Sequence, residues 1–261
     1  MKNKKTLIII AVAVVVLAVA AIIIIPNLNK QETKKLVMGT SPDFPPYESM
    51  DGDKYVGIEI DIMNKVADRL GYELEIVAVD FDSVLPGVQT GTYDIGVSGF
   101  TVTEERKQNV LFSDVYYVEG IAIVVPEGSE ITGIADLEGK KVAVQSGTTA
   151  ESLCTENGYD INSYKNNVEA EQALATGSVD AWVIDKGVGL RMISAYNESN
   201  ETRLVMLDEA LSEEPYAFAF KLGNTELADQ VNGVIQELIS SGEMESIFAA
   251  NGLEGYVAPA N

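Results

Sequence analysis

The chain has 261 residues, with 40 acidic against 18 basic side chains, no histidine and one cysteine, Cys154. So acidic a surface repels a phosphate backbone and excludes nucleic-acid binding. Without histidine, and with a lone cysteine, disulfides, zinc clusters and the commonest general base are excluded too, and neither metal nor cofactor is expected.

Lys2, Lys4 and Lys5 precede an unbroken apolar run from Leu7 to Ile25, closed by Pro26 and Asn27. These nineteen residues can cross a hydrocarbon core as a helix and exceed the usual apolar region of a cleavable signal. The lysines ahead of the run predict a cytoplasmic amino terminus and an extracytoplasmic remainder. Residues 1–35 are therefore expected to form a membrane anchor, or a signal segment, followed by a tether. If Ala18-Val19-Ala20 directs cleavage, the product is secreted or periplasmic instead. Residues 1–35 hold six lysines and one glutamate, which leaves 12 basic and 39 acidic side chains on the rest.

From Leu36 strand-like and helix-like segments alternate, the pattern of an α/β protein. Leu36–Thr40 predicts a strand running into Ser41-Pro42-Asp43-Phe44-Pro45-Pro46-Tyr47, where the prolines forbid a helix. Ile62, Met63, Val66, Ala67 and Leu70 recur at helical spacing and stop at Gly71. Glu73–Ala78 alternates as a strand, Asp82–Thr90 reads as a short helix and Asp94–Val97 as a short buried strand. Tyr116–Pro126 predicts one long β run, and Lys140–Gln145 a further strand. Val168–Thr176 reads as a helix, and Val179–Ile184 as a strand that ends at Asp185 before another helix. Arg203–Leu207 and Tyr216–Phe220 follow as strands, and Thr225–Ser241 as an amphipathic helix ended by Gly242.

Several strands end in Ser, Thr, Gly or Asp: Thr40-Ser41, Ser98-Gly99, Gln145-Ser146-Gly147-Thr148-Thr149 and Ile184-Asp185. Such carboxyl edges carry free carbonyls and hydroxyls, and in open α/β sheets ligands bind there. Thr103 before Glu104 and Glu105 marks a helix start, with Arg106 one turn inside. An arginine fork beside hydroxyls and carbonyls suits a small zwitterion, its carboxylate on the fork and its ammonium on the carbonyls. The same residues also read as a capping threonine and a surface arginine paired with Glu104 or Glu105. Gly133 to Lys141 has the wrong spacing for a phosphate loop, and Asp51-Gly52-Asp53 reads as a hairpin turn rather than a calcium loop.

Taken in order, these segments resemble the extracytoplasmic solute-binding proteins of polar-amino-acid ABC transporters, bacterial solute-binding protein family 3. The resemblance spans about Lys35 to Tyr256. It rests on Thr40-Ser41-Pro42-Asp43-Phe44-Pro45-Pro46-Tyr47-Glu48, Val56-Gly57-Ile58-Glu59-Ile60-Asp61, Gly99-Phe100-Thr101-Val102-Thr103-Glu104-Glu105-Arg106 and Gln145-Ser146-Gly147-Thr148-Thr149. Asp80-Phe81-Asp82, Phe112-Ser113-Asp114-Val115-Tyr116-Tyr117 and Leu137-Glu138-Gly139-Lys140 also match. It implies a two-lobed periplasmic-binding-protein type II fold with the ligand cleft between the lobes, here preceded by the N-terminal hydrophobic helix. Lobe 1 is expected over residues 36–119 plus 220–261 and lobe 2 over 122–215, with Tyr116–Pro126 and Tyr216–Lys221 as crossings.

The resemblance also assigns roles. Arg106 would clamp an α-carboxylate, with Thr101 and the backbone N–H of Thr149 at a helix start. Asp185, the Thr101 hydroxyl and the carbonyl at Ser98 or Gly99 would hold an α-ammonium. Phe44 and Phe81 would pack on the ligand side chain, with Ser41, Asp43, Gln145 and Thr148 nearby. Many members have an acid where Ser41 stands, which leaves the choice of amino acid open. Gln145 and the Gly147-Thr148-Thr149 that follows resemble the arginine- and histidine-binding types. The expected partners are a free polar or basic L-amino acid, an ABC transporter permease and, through the N-terminal segment, the membrane; the protein is expected to be a monomer and not an enzyme. A sensing receptor subunit and a cyclohexadienyl-dehydratase-like lyase are the alternatives, the lyase disfavoured because no acid is free for catalysis.

Overall fold

The computed structural model describes residues 34–259, so the apolar run Leu7–Ile25 and most of its tether lie outside the described residues. Among the described residues no helix is long and apolar enough to cross a membrane.

Strands β1 (Lys34–Thr40), β2 (Asp43–Phe44), β3 (Glu48–Asp51) and β4 (Lys54–Val56) lead into helix α1 (Ile58–Leu70). Asp51-Gly52-Asp53 is a hairpin turn, as expected, since β3 and β4 pair antiparallel through Asp51 and Lys54. Helix α1 buries Ile58, Ile62, Met63 and Val66 at helical spacing and ends on Gly71 in the left-handed region, φ 74°. Then come β5 (Tyr72–Ala78), α2 (Phe81–Thr90), β6 (Ile95–Gly96), the one-turn α3 (Glu104–Lys107) and β7 (Val110–Phe112). The second half holds β8 (Tyr117–Glu119), β9 (Ile121–Pro126), β10 (Lys141–Gln145), α4 (Thr149–Glu156), β11 (Asp160–Tyr164) and α5 (Asn167–Ala175). It continues with β12 (Ala181–Asp185), α6 (Lys186–Ser199), β13 (Leu204–Met206), β14 (Glu214–Tyr216), β15 (Ala219–Lys221), α7 (Thr225–Ser241) and α8 (Glu243–Ala250).

Two five-stranded sheets organise the molecule, in the orders β5-β1-β6-β15-β7 and β11-β10-β12-β9-β13. In the first, β1 and β6 run parallel, with Met38 opposite Ile95. In the second, β10 is parallel to β11 and β12, and β9 runs antiparallel to β12. A separate antiparallel ribbon joins β8 to β14, with Tyr117 opposite Tyr216 and Glu119 opposite Glu214.

This ribbon corrects the continuous strand expected over Tyr116–Pro126. The chain breaks at Gly120, leaving β8 in the ribbon and β9 in the second sheet. The expected strand Tyr216–Phe220 is likewise divided between β14 and β15. Continuous apolar patterning signals burial but does not say that the chain changes sheet halfway. The ribbon is packed with aromatics: Tyr216 meets Tyr47 edge-on at 5.3 Å, and Tyr116 stacks on Phe218 at 4.9 Å.

Candidate functional site

Carboxyl ends from both sheets converge beside the ribbon. Phe44, Phe81, Gly99, Thr101 and Arg106 meet Gln145, Thr148, Thr149 and Asp185 around a narrow cavity of about 10 Å³. It adjoins a wider one of about 480 Å³ lined in part by Arg106, Thr149, Ser152, Ser212 and Glu214. The narrow cavity gathers nine of the twelve residues expected from the sequence. The remaining three, Ser41, Asp43 and Ser98, stand behind it.

Helix α3 positions Arg106. Thr103 caps the helix, its hydroxyl accepting from the Arg106 N–H at 3.1 Å. The guanidinium donates to the Thr101 carbonyl at 2.9 Å and, across the cleft, to the Gly147 carbonyl at 3.0 Å. It lies 5.7 Å from the Phe81 ring centroid and 5.6 Å from that of Phe100, two rings that stack on each other. The surface pairing with Glu104 or Glu105 is not seen: Glu104 pairs with Lys107 at 2.8 Å. Among the described residues no carboxylate lies within ion-pair distance of Arg106. Burial lowers its pKa, against the raising pull of Glu214 and Asp185, and it remains a cation.

Asp185 ends β12 from the other lobe. It precedes α6, yet its side chain does not cap that helix. Instead it accepts from the Tyr216 hydroxyl at 2.6 Å. Burial raises its pKa from the usual carboxylate range to about 7, the Tyr216 bond opposing and the charges of Glu214 and Glu119 adding to the rise. The site therefore holds a half-buried cation and a buried acid on opposite walls, not paired with each other.

Gly99 takes φ +56°, and a Cβ there would come within 2.5 Å of the Phe44 ring. Only glycine lets the backbone turn at this point while the ring closes over it. The Gly99 N–H donates to both oxygens of Glu59 at 3.1 Å. Ser98 faces away from the cavity: its hydroxyl donates to Glu48 at 2.7 Å and accepts from the Ser41 N–H at 3.1 Å.

Asp43 spans the cleft from behind. One oxygen accepts from Ser41 at 2.8 Å; the other accepts from the Gln145 amide at 3.1 Å and the Asn167 N–H at 2.7 Å. Burial raises its pKa while these three bonds oppose the rise. The Gln145 carbonyl oxygen accepts from the Asn167 amide at 2.9 Å, so the Gln145 side chain is held at both ends. Thr148 caps α4 by accepting from the Glu151 N–H, which sets the first turn of that helix beside the cavity.

Sequence reasoning missed Glu214, Tyr216 and Asn167. Glu214 is 3% exposed, and one of its oxygens accepts from Thr101 at 2.6 Å and from Thr149 at 2.8 Å. Nothing in Ser-Glu-Glu-Pro-Tyr distinguishes the buried glutamate from Glu213 beside it; the Pro-Tyr after it marks the turn into the ribbon.

Residues 36–252 match the model for bacterial extracellular solute-binding proteins, family 3. The arginine-binding extracellular protein ArtP of Bacillus subtilis (strain 168) is 34% identical over 220 residues, covering 82% of this chain and 84% of that protein. Two structures of an ancestral arginine-binding protein are similar, each covering 84% of this chain and 98% of theirs. The form bound to arginine has a TM-score of 0.78 at 36% identity, and the form bound to glutamine 0.80 at 37%. With the family model matched from β1 to the end of α8 and the two-sheet architecture shared, the chain belongs to the bacterial extracellular solute-binding proteins of family 3.

Proposed function

We propose that this solute-binding protein takes up a free L-amino acid with a polar or basic side chain outside the cell, does not turn it over, and delivers it to an ABC transporter permease. The observation that carries the reading is a half-buried cation and a buried acid, mutually unpaired, on opposite walls of one cavity. Arg106 has only carbonyl partners and Asp185 only a phenol. An α-carboxylate on the first and an α-ammonium on the second satisfy both, and a zwitterion does so without adding net charge to the cleft.

The remaining contacts follow the same division. The Thr149 N–H at the start of α4 joins Arg106 on the carboxylate. The Gly99 carbonyl and the Thr101 hydroxyl join Asp185 on the ammonium. The side chain extends between Phe44 and Phe81 toward Gln145, with Asp43 behind it. Solved relatives that hold arginine and glutamine support a polar or basic side chain there. Acidic side chains are disfavoured, because Asp43 sits at that end and Lys165, at the rim, is engaged by Asp82 at 2.7 Å.

A cavity of about 10 Å³ does not admit an amino acid, so the walls must part and close again. Residues 36–119 with 220–261 form one lobe in this reading and 122–215 the other, and the β8–β14 ribbon is the hinge between them. The protein acts as a monomer, tethered to the membrane through residues 1–35. Calorimetry across the twenty amino acids tests the proposal: micromolar or tighter binding of a polar or basic amino acid is expected. Preference for glutamate or aspartate, or no heat with any amino acid, overturns it.

A further inference from the structure

We infer that Glu214 sets the hydrogen-bond polarity of the amino-acid site, forcing the Thr101 hydroxyl to act as an acceptor and so making the site selective for an α-ammonium. The inference rests on the reading of Arg106 and Asp185 given above and adds a residue to it.

Glu214 lies on the hinge ribbon, opposite Glu119. Three hydroxyls converge on its carboxylate: Ser212 on one oxygen at 2.5 Å, and Thr101 and Thr149 on the other at 2.6 and 2.8 Å. Thr101 belongs to the wall that carries Arg106, and Thr149 opens α4 on the facing wall, so one oxygen ties both sides of the cleft to the hinge. A carboxylate accepts only, and a threonine hydroxyl has a single proton. With that proton committed to Glu214, Thr101 presents lone pairs alone to the cavity.

Its neighbours there present the same polarity. The Gly99 carbonyl is an acceptor, and the Asp185 carboxyl is an acceptor only, with no proton to donate, once it is ionised. Three acceptors match the three N–H bonds of an ammonium. A hydroxyl free to rotate would instead offer its proton to a ligand oxygen or leave itself neutral to the choice. Glu214 touches no ligand in this scheme; it is a positioning residue acting through Thr101.

The test compares each amino acid with the same molecule lacking its α-amino group: L-arginine against 5-guanidinopentanoic acid, and L-glutamine against glutaramic acid. Dissociation constants of the four are measured by calorimetry on wild type, Glu214→Gln, Thr101→Val and the double variant, with a melting curve for each. An amide at 214 keeps the shape but can itself donate to Thr101, releasing the hydroxyl proton toward the cavity. The preference for the amino form should then fall roughly tenfold in Glu214→Gln, the size expected for losing a hydrogen bond to a charged group. Thr101→Val should lose a similar amount, and adding Glu214→Gln to it should lose nothing more. Should Glu214→Gln not fold, Thr101→Val alone decides, and an unchanged preference there overturns the inference.

A merely structural Glu214 predicts that both members of each pair weaken alike, leaving their ratio unchanged; that result also overturns the inference. Arg106→Ala separates the levels. If it binds as wild type does, the amino-acid reading itself is wrong. If it abolishes binding while Glu214→Gln leaves the ratio intact, only the role of Glu214 fails.

Discussion

With Asp185 holding the ammonium as proposed, ligand affinity depends on pH in a calculable way. Its carboxyl titrates at about 7 in the ligand-free site because burial disfavours the charge. An ammonium binds the ionised form, and an opposite charge at contact lowers a carboxylate pKa by about 1–3 units. Binding must therefore expel a proton wherever the free protein still holds one. Affinity is full above pH 7 and falls by close to tenfold for each unit below it, until the ligand-bound carboxyl itself protonates. From pH 8 to pH 5 the loss approaches about a hundredfold, roughly 2.7 kcal/mol at 1.36 kcal/mol per pKa unit.

Burial also raises the carboxyls of Asp43 and Glu119 beside the site, and the Asp185→Asn variant separates their share of the signal from that of Asp185. The chain has no histidine, and the ligand keeps both charges over that range. Glu171 also titrates near about 7, but it does not line the cavity. Calorimetry in two buffers of different ionisation enthalpy counts the protons directly. At pH 6 about 0.9 proton should leave per ligand bound, and at pH 8 about 0.1. In Asp185→Asn the proton count should drop to near zero and affinity should be low at every pH. A flat dissociation constant from pH 5 to pH 8, with no proton released, would refute the assignment of Asp185 to the ammonium.

Two further outcomes follow. Arg106→Ala should cost roughly 3–5 kcal/mol of binding, more than a hundredfold, because it strands a buried carboxylate, and Arg106→Lys should recover little, since an ammonium cannot reproduce the fork; near-wild-type titrations of either would remove the site. Glu48→Gln should flatten the pH dependence of stability: the native Glu48 pKa is raised well above the usual range, chiefly by burial, so its contribution is present at low pH and lost as pH rises through that value, and melting curves from pH 5 to pH 9 showing the same slope in both proteins would disprove it.

How much of this was legible in the sequence depends on the range of the interaction that fixes each feature. Helix α1 was readable from Ile62 to Leu70 because its spacing, its burial and its terminal Gly71 agree. The Thr103 cap was readable because capping is local, three residues to the Arg106 N–H. The convergence of Thr101, Arg106, Thr149 and Asp185 came from ordered motifs, since periodicity says nothing about residues 84 apart. What could not be read depends on geometry that sequence does not encode locally. Asp43 looked like a ligand contact but is occupied by Gln145 and Asn167, more than a hundred residues away. Nothing local marks Glu48, after a proline-rich loop, or Glu59, at a helix start, as buried. Both are fully buried, with Tyr116 donating to Glu59 at 2.5 Å and Ser98 donating to Glu48. The second Glu48 oxygen lacks a donor unless the two carboxyls share a proton, which the upward shift of both provides.

In the proposed reading, the bonds that cross the cleft explain why a ligand, rather than the protein alone, decides whether it stays shut. They are few: Arg106 to Gly147, Asp43 to Gln145 and Asn167, Lys165 to Asp82, and the two threonines on Glu214. The Lys165 pair is exposed and contributes under about 1 kcal/mol, while the hydrogen bonds made to the charged groups Arg106, Asp43 and Glu214 contribute roughly 1.5–3 kcal/mol each. Closing also removes water from Arg106, Asp43 and Asp185, whose shifted pKa values record that cost and cancel part of the gain. What remains of the gain sets the open–closed equilibrium of the empty protein. Moving such an equilibrium from 1:99 to 99:1 takes about 5.5 kcal/mol of differential affinity. Two charged pairs made only when both walls touch the ligand, the carboxylate on Arg106 and the ammonium on Asp185, are of that size together. A ligand missing either charge leaves one of these groups uncompensated and loses the closed form with it, so recognition of the zwitterion and closure of the cleft are one equilibrium.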